Sequence, residues 1–299
     1  MEIQRIGRIP TDEDLRLYLD KRIIPVRFCY PEEGGNRWHE LRQNESYSLG
    51  GRELRAFREG LTNIEDIIGK QPINLVHLGP GDGIEIPILF DKFKPNGSGR
   101  YAGVDISEQM IYNTARLNES SFSEVNPLWY LTDIEGKGNL ELVCEDVKKK
   151  GANRNLILLT SQGVLFSNPE TLKNVYNSMR EQDYLFITIE GNDSERRDEI
   201  LATYNLQEVR DLLSEGLKRA GYVAEDGSFK AGFNEAESKI EVYFKPKDEQ
   251  DIICLTSYKP TEESLRKRLT KSGFEIQYLE FYEDVHTFAV LCNKGGKNV

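Results

Sequence analysis

Residues 73–86 read Ile73-Asn74-Leu75-Val76-His77-Leu78, Gly79-Pro80-Gly81-Asp82-Gly83, Ile84-Glu85-Ile86. An apolar, β-branched run gives way to three glycines at alternate positions, and an apolar helical pattern follows. This is how the first strand, loop and helix of a nucleotide-binding α/β sheet read. A loop without β-carbons lets backbone N–H groups at a helix start come close to a ligand. A second strand, Arg100-Tyr101-Ala102-Gly103-Val104-Asp105, ends in a carboxylate 22 residues beyond Gly83. An acid that binds ribose is expected at about 20 residues.

Two cofactor classes use this arrangement. Nicotinamide dinucleotides place a pyrophosphate on the helix start and usually go with Gly-x-Gly-x-x-Gly. Here Asp82 stands inside the loop and would repel a pyrophosphate. A carboxylate is tolerable beside a sulfonium or an aminoacyl tail, so the loop favours S-adenosylmethionine.

Working outward, strands are expected at 73–78, 100–105, 139–144, 155–161 and 183–190, with helices near 84–93, 107–119, 169–180 and 261–272. This alternation implies a parallel sheet. Two last strands, 274–281 and 284–293, read as a hairpin. Between Glu190 and Leu255 the pattern changes: a charged helical stretch over 197–222, a strand over 232–246 and an antiparallel partner over 251–257. That stretch reads as an insertion before the final hairpin. Upstream, 11–22 and 51–68 are helical in pattern, whereas 27–51 is irregular and carries Phe28, Tyr30, Trp38 and Tyr47. Long irregular segments in compact proteins are often functional lids.

The 299 residues carry a net charge of −11, with 30% charged residues and no basic, aromatic-rich patch. No nucleic-acid partner is therefore expected. No run reaches the ~20 apolar residues of a membrane span, and no signal-peptide core is visible. The expected location is the cytoplasm. The four cysteines and three histidines are scattered, so neither a disulfide framework nor a metal site is expected.

Beyond the strand ends lie further candidates. Asp146, in Val143-Cys144-Glu145-Asp146, would accept from an adenine amino group, or act only as a favourable acid at a helix start. Thr160 opens the polar turn Leu159-Thr160-Ser161-Gln162-Gly163, which should line the pocket. Asn168 could contact ligand or simply cap the helix that begins at Pro169.

The loop Leu78–Gly83, Val104-Asp105-Ile106-Ser107 and Leu165-Phe166-Ser167-Asn168 recur in one order with further segments. These are Leu201-Ala202-Thr203-Tyr204-Asn205, Phe233-Asn234-Glu235, Ser238-Lys239-Ile240-Glu241-Val242 and Phe288-Ala289-Val290. In that order the chain resembles the histidine-specific S-adenosylmethionine-dependent methyltransferases of the ergothioneine pathway, as a divergent member. The resemblance implies a Rossmann-like class I methyltransferase sheet with a second α+β domain. The first would comprise 65–192 and 258–299; the second, for substrate, 1–64 and 193–257. It implies Gly79, Pro80, Gly81, Asp82, Gly83, Asp105, Asp146 and Thr160 as cofactor contacts. Tyr47, Asn168, Tyr204, Val242, Leu255 and Ser257 would face the substrate, with Tyr47 and Tyr204 placing the reacting amine.

Leu255 stands where the family has a glutamate facing imidazole, Val242 where it tends to have methionine, Glu85 where relatives often carry lysine, and His77 where an acid is usual. The expected activity is therefore N-methylation of a small molecule, an amino acid or related amine, by a monomer. Methylation of oxygen or carbon in a secondary metabolite, or cofactor binding without catalysis, remains open.

Overall fold

Asn74–Leu78, Tyr101–Asp105 and Asn155–Leu159 are buried at every residue. Apolar runs without alternation belong in a parallel sheet covered on both faces. The computed structural model describes residues 1–44, 47, 49–160 and 163–295, so Ser161 and Gln162 of the polar turn lie outside the described residues. The chain begins with β1 (Ile3–Arg5), α1 (Asp12–Leu19), α2 (Gly34–Gln43) and α3 (Leu49–Ile68). Next come β2 (Asn74–Leu78), α4 (Ile86–Phe93), β3 (Tyr101–Asp105), α5 (Glu108–Leu117), β4 (Leu128–Leu131) and α6 (Asn139–Lys150). β5 (Asn155–Leu159), α7 (Gly163–Ser167), α8 (Pro169–Ser178), β6 (Tyr184–Glu190), α9 (Arg197–Tyr204) and α10 (Gln207–Arg219) follow. The chain closes with β7 (Gly227–Asn234), β8 (Lys239–Pro246), β9 (Ile252–Tyr258), α11 (Glu262–Lys271), β10 (Phe274–Tyr282) and β11 (Thr287–Lys294).

Eight strands pair in the order β1-β4-β3-β2-β5-β6-β11-β10, and β7-β8-β9 form a second sheet. The large sheet is parallel except at β11 and β10. Its strand order reverses between β2 and β5, where such sheets open a ligand crevice beyond the strand carboxyl ends. One face carries Val143 and Val147 of α6, Leu172 of α8 and Leu265 of α11. The other carries Phe57 and Leu61 of α3 and Leu89 of α4. A third apolar cluster joins the small sheet to Leu15, Leu41 and Leu213.

Four elements differ from the sequence reading. The stretch expected as a strand over 139–144 is the start of α6. Leu140, Val143, Cys144 and Val147 face the core at helical spacing, and Leu142, which alternation would bury, is 58% exposed. The third strand is instead β4, only four residues long, after Pro127. The strand expected over 232–246 is two strands, β7 and β8, broken where Ser238 adopts φ +51°. The irregular stretch contains α2, which packs against α10 and α5. Finally, β1 pairs with β4, and α3 covers β11 and β6. Both lie on the large sheet, although residues 1–64 were expected wholly in the second domain.

Candidate active site

A cavity opens at the reversal between β2 and β5, between the strand ends of the large sheet and the small sheet. The glycine loop forms its floor. Gly79, Gly81 and Gly83 all have φ near the left-handed region, at +61°, +61° and +68°. Their reasons differ. A β-carbon on Gly81 would sit 2.9 Å from Nε1 of Trp38, inside the cavity. One on Gly83 would sit 2.6 Å from Ile86 Cδ1 and 2.7 Å from Asn118 Nδ2. Gly83 thus allows helix packing and does not line the cavity, whereas Gly79, Pro80, Gly81 and Asp82 do. Gly81→Ala should keep the fold, with its φ strain lowering stability alone, and cost roughly tenfold in cofactor affinity, since the methyl intrudes on the cavity and displaces the indole at about 1–2 kcal/mol. Calorimetry with S-adenosylhomocysteine would measure this; unchanged affinity would contradict it.

At the end of β3, Asp105 is buried, and its Oδ1 accepts from Ser107 N–H at 2.9 Å. Burial pushes its carboxyl up to about 7, against the hydrogen bonds from Ser107 and Ile106. Thr160 lines the cavity from the end of β5, and its Oγ1 meets His77 Nε2 at 3.2 Å. Burial lowers His77 to about 3, so its ring is neutral.

The acid at the end of the third strand is Asp133, not Asp146. Asp133 and Glu135 line the cavity and meet Arg27, at 3.6 and 2.6 Å from its Nη1. Asp146 sits inside α6, outside the lining, accepting from Tyr130 Oη at 2.7 Å and Lys150 Nζ at 2.5 Å. Once α6 replaces the expected strand, its acid can no longer be a strand-end residue. Asn168 also stays outside the lining: its Oδ1 accepts from Glu170 N–H at 3.0 Å and caps α8. Val242 is packed in the core, paired in register with Leu255, and does not reach the cavity.

Also lining the cavity, Tyr204 Oη donates to Ser257 Oγ at 2.9 Å. Beside them Lys259 Nζ meets Glu190 Oε2 at 2.5 Å, both residues being only 3% exposed. Burial alone would lower the Lys259 ammonium, but Glu190 and Tyr204 more than offset this and hold it charged. Leu255 lines the same end, with Val164 and Leu212. Tyr30, Trp38 and Tyr47 close the cavity from the N-terminal side, with ring centroids 6.0 and 6.1 Å apart, edge to face. Burial raises Tyr47 well above an ordinary phenol, so it is a neutral hydroxyl.

The structure therefore brings Tyr47, Gly79, Pro80, Gly81, Asp82, Asp105, Thr160, Tyr204, Leu255 and Ser257 to one cavity. Gly83, Asp146, Asn168 and Val242 stay outside it. Sequence reasoning missed Arg27, Arg42, Asp133, Glu135, Glu190 and Lys259. The aromatic scatter around Trp38 was the visible trace of the N-terminal wall; a single lysine or arginine carries no comparable signal.

A family model described as histidine-specific methyltransferase, SAM-dependent, matches residues 12–293. The chain belongs to this family. No curated protein matches it. Among solved structures, a S-adenosylmethionine-dependent methyltransferase from Clostridium acetobutylicum is 15% identical, covering 81% of this chain and 92% of its own at a TM-score of 0.50. Magnesium protoporphyrin IX methyltransferase from Synechocystis, crystallised with bound SAH, is 11% identical, covering 90% and 98% at a TM-score of 0.51. At these identities the likeness speaks for the class I methyltransferase fold alone.

The cofactor of this methyltransferase is S-adenosylmethionine, and the cavity suits it. Trp38 Nε1 is buried with no hydrogen-bond partner among the described residues, directly above the glycine loop. A buried donor left unpaired costs about 1–3 kcal/mol, so this indole N–H calls for an acceptor on a ligand. No helix among the described residues is long and apolar enough to cross a membrane.

Proposed function

We propose that this methyltransferase N-methylates a small amino acid or related amine whose side chain is apolar. The observation that carries the reading is the buried polar end of the cavity, Tyr204–Ser257 beside Lys259–Glu190, with Leu255 as its apolar neighbour. Hydroxyls next to a fixed pair of opposite charges suit a zwitterionic head. Leucine suits an alkyl or aromatic side chain and leaves an imidazole N–H unpaired, at about 1–3 kcal/mol.

In this reading Gly79, Pro80, Gly81, Asp82, Asp105 and Thr160 hold the cofactor, with Asp133 taking the strand-end position. Bound there, S-adenosylmethionine supplies an electrophilic methyl group. The acceptor's ammonium gives up its proton to water as it enters, and the chain's work is then to aim the neutral amine along the S–CH3 axis at roughly 3–3.5 Å and to exclude further water. Tyr47 and Tyr204 orient that amine by hydrogen bonds, and Tyr47, held as a neutral phenol by burial, acts as donor or acceptor without being a base. Ser257 fixes the Tyr204 hydroxyl.

The test is methyl transfer from labelled S-adenosylmethionine to a panel of free amino acids and biogenic amines, read by mass. An N-methylated aliphatic or aromatic amino acid is expected. Leu255→Glu should then shift the preference towards histidine by about tenfold or more, because it returns a partner to the imidazole. A silent panel with S-adenosylhomocysteine still bound would overturn the reading. It would point to an oxygen or carbon acceptor, or to a binding role without catalysis.

A further inference from the structure

Among the described residues, three cationic side chains line the cavity: Arg27, Arg42 and Lys259. Arg27 is hydrogen-bonded to Glu135 at 2.6 Å, and Lys259 to Glu190 at 2.5 Å. Arg42 is different. It enters from the last turn of α2, outside the large sheet, and its side chain is only 7% exposed. Its Nε stands 3.6 Å from Asp82 Oδ1, an ion pair beyond hydrogen-bonding length. Glu85 and Glu53 share the cavity wall with it. Burial opposes its charge; Glu85 first, then Asp82, Tyr47 and Glu53 more than offset this and keep it cationic.

The aminoacyl tail of the cofactor ends in an ammonium and a carboxylate, and the glycine loop presents the wrong sign for the carboxylate. Asp82 and Glu85 are both acids, and both suit the ammonium. A carboxylate placed there needs a cation, and a planar guanidinium binds carboxylates through two parallel N–H donors. We propose that Arg42 is the counter-ion of the cofactor's carboxylate, so that α2 supplies the charge that the glycine loop lacks. Helix α2 thereby becomes part of the cofactor site as well as its cover. The inference concerns the cofactor alone and holds whatever the methyl acceptor is.

The experiment compares two ligands by calorimetry: S-adenosylhomocysteine, and its decarboxylated analogue, which lacks only the α-carboxylate. The wild type should prefer S-adenosylhomocysteine by about tenfold or more, as expected for a charge-assisted bidentate contact. In Arg42→Met this preference should vanish, through loss of S-adenosylhomocysteine affinity, while the analogue binds within about twofold of wild type. Arg42→Lys should recover part of the preference. Equal losses for both ligands in Arg42→Met, or no loss for either, would overturn the assignment. If thermal unfolding shows that Arg42→Met does not fold, the wild-type ratio decides: equal affinity for the two ligands would overturn it as well.

Discussion

Binding of S-adenosylhomocysteine weakens as the pH falls from about 8 to about 6, approaching tenfold per unit below about 7, and Asp105→Asn abolishes this slope. The reason is the burial of Asp105, which pushes its carboxyl up to about 7 in the free protein. Ribose hydroxyls donate to a carboxylate and favour its ionised form. Below about pH 7 the ligand must therefore expel a proton in order to bind, and one proton per site gives the tenfold limit.

The sign for stability is the opposite. The folded value lies above the ordinary 3.8, so between the two the free folded protein binds more protons than the unfolded chain. Its stability consequently declines as the pH rises from about 4 to 7 and stays lower above that. Asp105→Asn should thus melt higher than wild type at about pH 8 while binding cofactor more weakly. Asp105→Ala, which removes both acceptor oxygens, should lose about 100-fold in affinity. Calorimetry across pH, in buffers of different ionisation enthalpy, reads the slope and the proton count together. A wild-type affinity that does not change with pH, or a slope that survives in Asp105→Asn, would remove Asp105 from the ribose.

The loop and Asp105 were legible because the information is local. A strand, a glycine turn and a second strand are each written within a few residues, and the parallel order follows from their alternation. Asp133 was not legible because β4 is four residues long and is held by β3 and β1 on either side. The longer apolar run of α6 reads more like a strand, which puts its acid, Asp146, at a strand end that the fold does not have there. Strand β1 is three residues that gain meaning only from β4, more than 100 positions away. Helix α2, Gly34-Gly35-Asn36-Arg37-Trp38-His39-Glu40-Leu41-Arg42-Gln43, has two poor helix formers at its start and one buried leucine. It is a helix because it packs on α10 and α5, and tertiary packing overrides propensity. With α2 read as irregular, Arg42 had no assigned place in the site. Lys259 falls immediately after a strand, where a lysine usually marks solvent; only the fold brings Glu190 to it.

Lys259→Met is expected to destabilise the protein by about 3–5 kcal/mol, because it leaves Glu190 buried with an uncompensated charge. At 3% exposure each, the two side chains have little solvent to take a lost partner's place. The double variant Lys259→Met with Glu190→Gln removes both charges and should recover most of that loss, since a buried ion pair is seldom worth more than a well-packed neutral pair. Activity separates structure from function. Lys259 Nζ lies 5.6 Å from the centroid of the Tyr204 ring, and Tyr204 carries the hydrogen bond to Ser257. If the charged pair orients a zwitterionic acceptor, the refolded double variant stays about 100-fold below wild type in kcat/KM, because two charge-assisted contacts are gone. Its affinity for S-adenosylhomocysteine should stay near wild type, because the pair comes from the ends of β6 and β9 and not from the glycine loop, β3 or α2. Denaturant unfolding, calorimetry and steady-state kinetics on the same three proteins make the comparison. Recovery of kcat/KM along with stability would assign the pair to the fold alone and take the charged end of the cavity out of substrate recognition.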